Sequence, residues 1–134
     1  MAPSLTLLGT GTALPHPQRG PTAGLLQTPD ARVLLDCGSG TLQKAAAAGA
    51  DLFSLDALLL THVHLDHLAD LLPLAFALSI PRIERSAPLQ VILSHEALRT
   101  WNRLQDALDP WLTPPATNLT LRPLHPGEDL HTLG

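Results

Sequence analysis

The chain reads as a series of short aliphatic runs, each ended by Gly, Asp, Pro or His. Leu5 to Leu8 is the first, stopped by Gly9-Thr10-Gly11, and it predicts a strand entering a tight turn. Gly24–Thr28 and Arg32–Leu35 flank Pro29-Asp30, which is the turn chemistry of a hairpin. Val33-Leu34-Leu35 is apolar throughout, as a buried strand requires, and closes at Asp36-Cys37-Gly38-Ser39-Gly40. Thr41 to Ala48 is strongly helical by propensity, with Gly49 as its stop. Leu52 to Leu55 leads into Ala57–Thr61, which predicts a strand in the interior of a sheet.

The second half repeats the alternation of strand and helix. Leu68, Leu71, Leu72, Ala75, Phe76 and Leu78 predict a helix apolar around much of its girth, buried between layers. Pro73 inside it implies a kink or a break into two pieces, and Ile80-Pro81-Arg82 ends it. Leu89–Leu93 is a further strand, Glu96–Leu108 an amphipathic helix carrying Trp101, and Pro110–Pro115 a loop. Leu119-Thr120-Leu121 alternates like a half-exposed strand, and Leu124 to Leu130 resembles the turn before another one. The fold class is therefore α/β, with no internal repeat and no low-complexity linker.

Chemistry enters where the Ala57–Leu60 run stops. Thr61 is followed by His62-Val63-His64-Leu65-Asp66-His67, three imidazoles and a carboxylate at a strand's C-terminal end. Open α/β sheets bind ligands at that end. If the backbone stays extended, His62, His64 and Asp66 point to one side while Val63 and Leu65 turn back to the core. His67 then opens the next helix and aims from a different direction. Imidazole with carboxylate is a borderline donor set that suits zinc and its first-row neighbours. A lone histidine beside a core is commonly a packing residue; this cluster reads as a metal site.

Composition narrows the classes. A chain of 134 residues is one domain's worth and buries roughly two-thirds of its unfolded surface. A net charge of −4 gives no global attraction for nucleic acid, so RNA contact requires a local basic patch or metals. One cysteine excludes an internal disulfide and fits a reducing compartment. The N-terminus lacks a signal-peptide pattern, and no apolar run is long enough for a bilayer, so cytoplasm and no membrane partner are expected.

With its flanking segments, the cluster resembles the metallo-β-lactamase superfamily, whose signature is H-x-H-x-D-H after a buried strand. Leu8-Gly9-Thr10-Gly11-Thr12 and Leu35-Asp36-Cys37-Gly38-Ser39-Gly40-Thr41 place it nearest the ribonuclease Z-like branch. The chain departs from that branch at Leu65, where Gly is usual, and at Arg19-Gly20, where Arg-Asn is usual. The resemblance implies half of an αββα sandwich, a mixed sheet with helices on one face. It also implies two zinc ions, or manganese or iron, with His62 and His64 serving one and Asp66 and His67 the other. Further ligands lie beyond this region in the longer relatives. Residues 1–134 are thus expected to form a single, truncated domain, completed by a homodimer partner or by a complementing C-terminal half.

The implied activity is metal-dependent hydrolysis of RNA or of a small phosphodiester or other ester, with Asp66 both ligand and proton acceptor. Asp36 is implied as the buried acid that orients the ligating histidines; capping the next helix is the other reading of its position. Arg19, in the loop from Leu14 to Thr22, either meets a substrate phosphate or is solvated. His16 is expected in solvent, and Cys37 is read as a small core residue because no base is placed beside it. His95 and Glu96 stand at a strand end that could be the metal site's, but polar residues are common at a helix start and that explanation is preferred to ligation. The rival function is a non-catalytic metal-binding or interaction module that needs a second chain.

Overall fold

The computed structural model describes residues 2–129. One mixed six-stranded sheet runs in strict sequence order. Its strands are β1 (Ser4–Gly9), β2 (Ala23–Gln27), β3 (Arg32–Leu35), β4 (Ala57–Leu59), β5 (Leu89–Ser94) and β6 (Leu119–Leu124). The first three are antiparallel neighbours, and β3 to β6 are parallel. Parallel neighbours require crossovers, and helices supply them. These are α1 (Thr41–Ala47), the pair α2 (Leu65–Leu68) and α3 (Leu71–Leu78), and α4 (His95–Ala107).

Strand periodicity divides the apolar side chains between two faces. Leu25, Leu34, Leu58, Val91 and Leu93 point to one side. There they form a single core with Ala45 of α1, Leu71, Leu74, Ala75 and Leu78 of α3, and Ala97 and Trp101 of α4. Val33, Ala57 and Ile92 point the other way, with Leu26, Leu35, Leu59 and Leu124 partly buried beside them. Leu5 and Leu7, paired with Leu26 and Gly24, are 57% and 68% exposed on that second face. The helices therefore cover one face, as the sequence implied.

Several boundaries differ from the sequence reading for local reasons. β4 ends at Leu59, although Leu60 N still donates to Ile92 O at 2.9 Å. The helical region splits at Ala69–Asp70, ahead of Pro73. Pro73 then lies in the first turn of α3, where its missing N–H costs no helical bond. Leu52–Ser54 is a single 3₁₀ turn with Asp51 accepting from Phe53 N at 3.0 Å. No helix among the described residues is long and apolar enough to cross a membrane.

Trp101 is 1% exposed on the helix-covered face. Trp101→Ala is expected to cost about 3–5 kcal/mol in urea unfolding. Leu7→Ser, on the open face, should stay within about 0.5 kcal/mol. The reverse ranking would place the core on the wrong side of the sheet.

Candidate metal centre

The motif segment leaves β4 and turns into α2, and the loop after the neighbouring strand β3 holds it there. Thr61, His62 and Val63 continue the chain outward, and His64 (φ −63°, ψ 145°) is the last extended residue before α2. The helix thus begins at Leu65, two residues earlier than expected. Val63 packs against the core as predicted. Leu65 does not: as the first helical residue it is turned outward and is 71% exposed. Asp66 and His67 are both carried by α2, in place of an extended Asp66.

Asp36 ties these pieces together. It follows β3, has a left-handed backbone (φ 58°) and is 5% exposed. Asp tolerates that conformation better than most residues. Its Oδ1 accepts the Thr61 backbone N–H at 2.8 Å, and Thr61 Oγ1 donates to the same carboxylate at 2.9–3.0 Å. Its Oδ2 lies 2.7 Å from His67 Nδ1. The carboxylate thus accepts from the end of β4 and from α2 together. Helix capping is not its role, because the residue preceding α1 is Gly40 (φ 80°).

Backbone contacts complete the clamp. Cys37 N donates to His67 O at 2.7 Å, and Asp70 N donates to Cys37 O at 2.8 Å. Asp70 Oδ2 accepts from Leu42 N at 3.0 Å, fixing α1 to the same turn. At Gly38 a β-carbon would stand 1.9 Å from Asp66 O, so only glycine allows this approach. Gly9 meets the same demand against Pro21 O, also at 1.9 Å. Cys37 is fully buried, and burial, with Asp70 and Asp36 nearby, pushes its thiol well above the ordinary range. It is a packed neutral thiol, in line with the core reading.

The clamp decides which ring nitrogens are available. His67 Nδ1 is committed to Asp36, so Nε2 is the free donor, 3.4 Å from Asp66 Oδ2. His62 Nδ1 lies 3.0 Å from Thr61 Oγ1, a hydroxyl that already donates to Asp36 and can only accept from the ring. His62 Nε2 is left free in turn. The ring centres of His62 and His64 are 4.6 Å apart, and those of His62 and His67 are 4.0 Å apart. The three imidazoles therefore lie side by side. Among the described residues no group of three or more His, Cys, Asp or Glu is drawn tightly enough to hold a metal ion.

A cavity of about 630 Å³ opens beside these groups, lined by Ala13, Pro21, Val63, His64, Leu65 and Asp66 among others. Arg19 is exposed and is not among its walls. His16 is exposed, its Nδ1 accepting from Gln18 N at 3.1 Å. Two residues of this region escaped the sequence reading. Thr61 carries the relay from Asp36 to His62, and its β-hydroxyl next to the motif was the available signal. Lys44 brings its amine to the loop, where a β-carbon at Gly20 would meet Nζ at 2.7 Å; one lysine on a helix gives no such signal. Among the described residues no group of three or more metal-ligating side chains includes His95 or Glu96.

Comparison with known proteins follows the same lines. The pattern of the metallo-beta-lactamase superfamily matches residues 16–134. Ribonuclease Z of Mycobacterium marinum is 43% identical over 89 residues, 66% of this chain and 32% of that protein. Ribonuclease Z of Methanopyrus kandleri is 44% identical over 71 residues, 53% of this chain and 25% of that one. Among solved structures, the metallo-beta-lactamase fold protein YhfI of Bacillus subtilis superposes with TM-score 0.76 at 26% identity, covering 98% of this chain and 49% of that one. Human tRNase Z, short form, gives 0.69 at 26% identity, covering 87% of this chain and 42% of that one. The chain thus spans about half the length of these solved structures, and the match covers about a third or less of the curated relatives.

Gly38→Ala is expected to destabilise the fold by about 1–3 kcal/mol or more, through the clash with Asp66 O. Cys37 should resist alkylation at pH 8 in the folded protein and react on unfolding, which mass spectrometry after a timed iodoacetamide pulse will read out. Rapid labelling of the native chain would contradict its burial.

Proposed function

The chain belongs to the metallo-beta-lactamase superfamily, and on that premise we propose that it carries the metal-binding part of a zinc-dependent, ribonuclease Z-like phosphodiesterase. His62 and His64 hold one ion, and Asp66 and His67 hold the other. Manganese or iron satisfies the same imidazole and carboxylate donors. The observation that carries this reading is the Asp36 hydrogen-bond hub. It engages Nδ1 of His67 directly and Nδ1 of His62 through Thr61, so Nε2 is the nitrogen left to ligate, as an imidazole with a carboxylate behind it requires. The 3.4 Å between His67 Nε2 and Asp66 Oδ2 also fits two ligands of one tetrahedral ion bound at about 2.0–2.2 Å.

Zinc, when bound, supplies Lewis acidity at the phosphoryl oxygens and a water of lowered pKa. This chain's residues do the rest. Asp66 shares a proton with the attacking water at its carboxylate. Asp36 and Thr61 keep the imidazoles aimed and cut the reorganisation needed during reaction. Arg19 on the Leu14–Thr22 loop and the Lys44 amine that reaches Gly20 from α1 stand outside the cavity walls and supply the positive charge that a phosphodiester of RNA or of a smaller molecule would meet. That local charge answers the net −4 of the whole chain.

A second reading is a metal-binding module that turns over only with a second chain, either another copy or a complementing C-terminal half. That no three such donors are drawn together among the described residues favours it, since catalytic zinc normally takes three protein ligands. One experiment separates the readings: zinc per chain, with hydrolysis of bis(p-nitrophenyl) phosphate and of an RNA precursor by the purified protein. Tight zinc and turnover abolished by His64→Ala support the enzyme. Zinc without turnover supports the module, and no zinc at all removes both. Asp36→Asn is expected to weaken zinc binding about 10–100-fold while the chain stays folded.

A further inference from the structure

A second histidine pair lies outside the motif. β5 and β6 run parallel, with Ser94 opposite Leu124 at the last step of their register. The next residue on each strand is a histidine, so His95 and His125 leave the sheet at the same level. Their Nε2 atoms are 3.3 Å apart. The ring centres are 4.4 Å apart, with planes inclined by 40°. The nitrogens are closer than the ring centres, so the two Nε2 edges converge. In the metal-free chain the two rings share a bent hydrogen bond, since an in-line one would add a ring radius at each end and set the centres farther apart than 4.4 Å.

Two nitrogens on one tetrahedral zinc at about 2.0–2.1 Å stand about 3.3–3.4 Å apart, which is the separation found here. Local charge decides the sign of the ligand. Glu96 lies in the first turn of α4, and Glu128 Oε2 accepts from His125 N at 3.2 Å. Asp129 follows directly. One guanidinium, Arg122, stands among them, with Nη2 3.7 Å from Glu128 Oε1. Counting Arg99, one turn along α4 from His95, three carboxylates stand against two guanidinia, and the net negative charge favours a cation over an anion. A cavity of about 430 Å³, lined by Thr61, Ser94, Leu124 and His125, opens beside the His125 member of the pair.

We propose that His95 and His125 form a separate two-histidine site for a first-row divalent cation, such as zinc, nickel or copper, with water in the remaining positions. The site needs neither the motif nor its activity, and imidazole is the donor these ions favour. His95 opens a helix and His125 opens a turn, so each has an ordinary local explanation; only the register of β5 and β6 makes them a pair.

The test is a zinc titration of the ¹⁵N-labelled full chain, with each imidazole followed by NMR. His95 and His125 are expected to shift together along one saturating curve. His125→Ala is expected to weaken the His95 response at least about tenfold, one of two ligands being lost. His62, His64 and His67 should respond as in the parent chain. His95→Gln should mirror the result at His125, and both residues are exposed, so the fold tolerates either change. Different curves for His95 and His125, or a His95 response unchanged in His125→Ala, overturns the proposal. A silent motif with a responding His95–His125 pair counts against the proposed function and supports this site.

Discussion

The buried carboxylate of Asp36 is the constraint on which the rest of this structure depends. It stands at the end of β3 and accepts from Thr61 at the end of β4 and from His67 on α2. A carboxylate this buried must be satisfied, because an unpaired charge there is expensive. Meeting that demand with groups from two other elements fixes where α2 starts and how its side chains face. The geometry of the motif is therefore set from β3, more than 20 residues earlier in the chain. Glycine at position 38 is part of the same arrangement, since it lets the β3 loop reach the backbone of Asp66.

The sheet makes that arrangement rigid. β3 and β4 are central parallel neighbours with Leu34 opposite Leu58, both fully buried. Their C-terminal ends are held in fixed relation by the register, so Asp36 and Thr61 need little adjustment to meet. The helices cover one face only, and the opposite face leaves Leu5 and Leu7 exposed and Leu26, Leu35 and Leu59 partly buried. Precision at the strand ends and an uncovered apolar face come from the same single-layer architecture.

Much of this was legible in the sequence, for a physical reason. Val33–Leu35, Ala57–Leu60 and Leu89–Leu93 are runs apolar on both sides, and such runs belong inside parallel sheets. The histidine cluster at one run's end was equally plain, as was Asp36 beside it. What the chain hid were features set by register and turn geometry. An extended continuation past Thr61 put Leu65 in the core, whereas helix initiation at that residue turned it outward. Pro73 suggested where the long helix breaks, but the break came at Asp70, whose carboxylate is engaged by α1. Thr61 looked like an ordinary strand-end residue. Its role needs Asp36 and His62 on either side of its hydroxyl, and only the fold supplies that. His95 and His125 stand 30 residues apart and meet only because two strands end level.

The central claim is that Asp36 and Thr61 choose the tautomers of the motif histidines. Long-range ¹H–¹⁵N correlation spectra of the metal-free chain at pH 8 test it most directly, because they separate protonated from unprotonated ring nitrogens. The account predicts that His67 and His62 both carry the proton on Nδ1, leaving Nε2 bare, and that Asp36→Asn scrambles His67. If His67 instead carried its proton on Nε2, the carboxylate would not be directing that ring, and this explanation of how the fold builds its donors would be wrong.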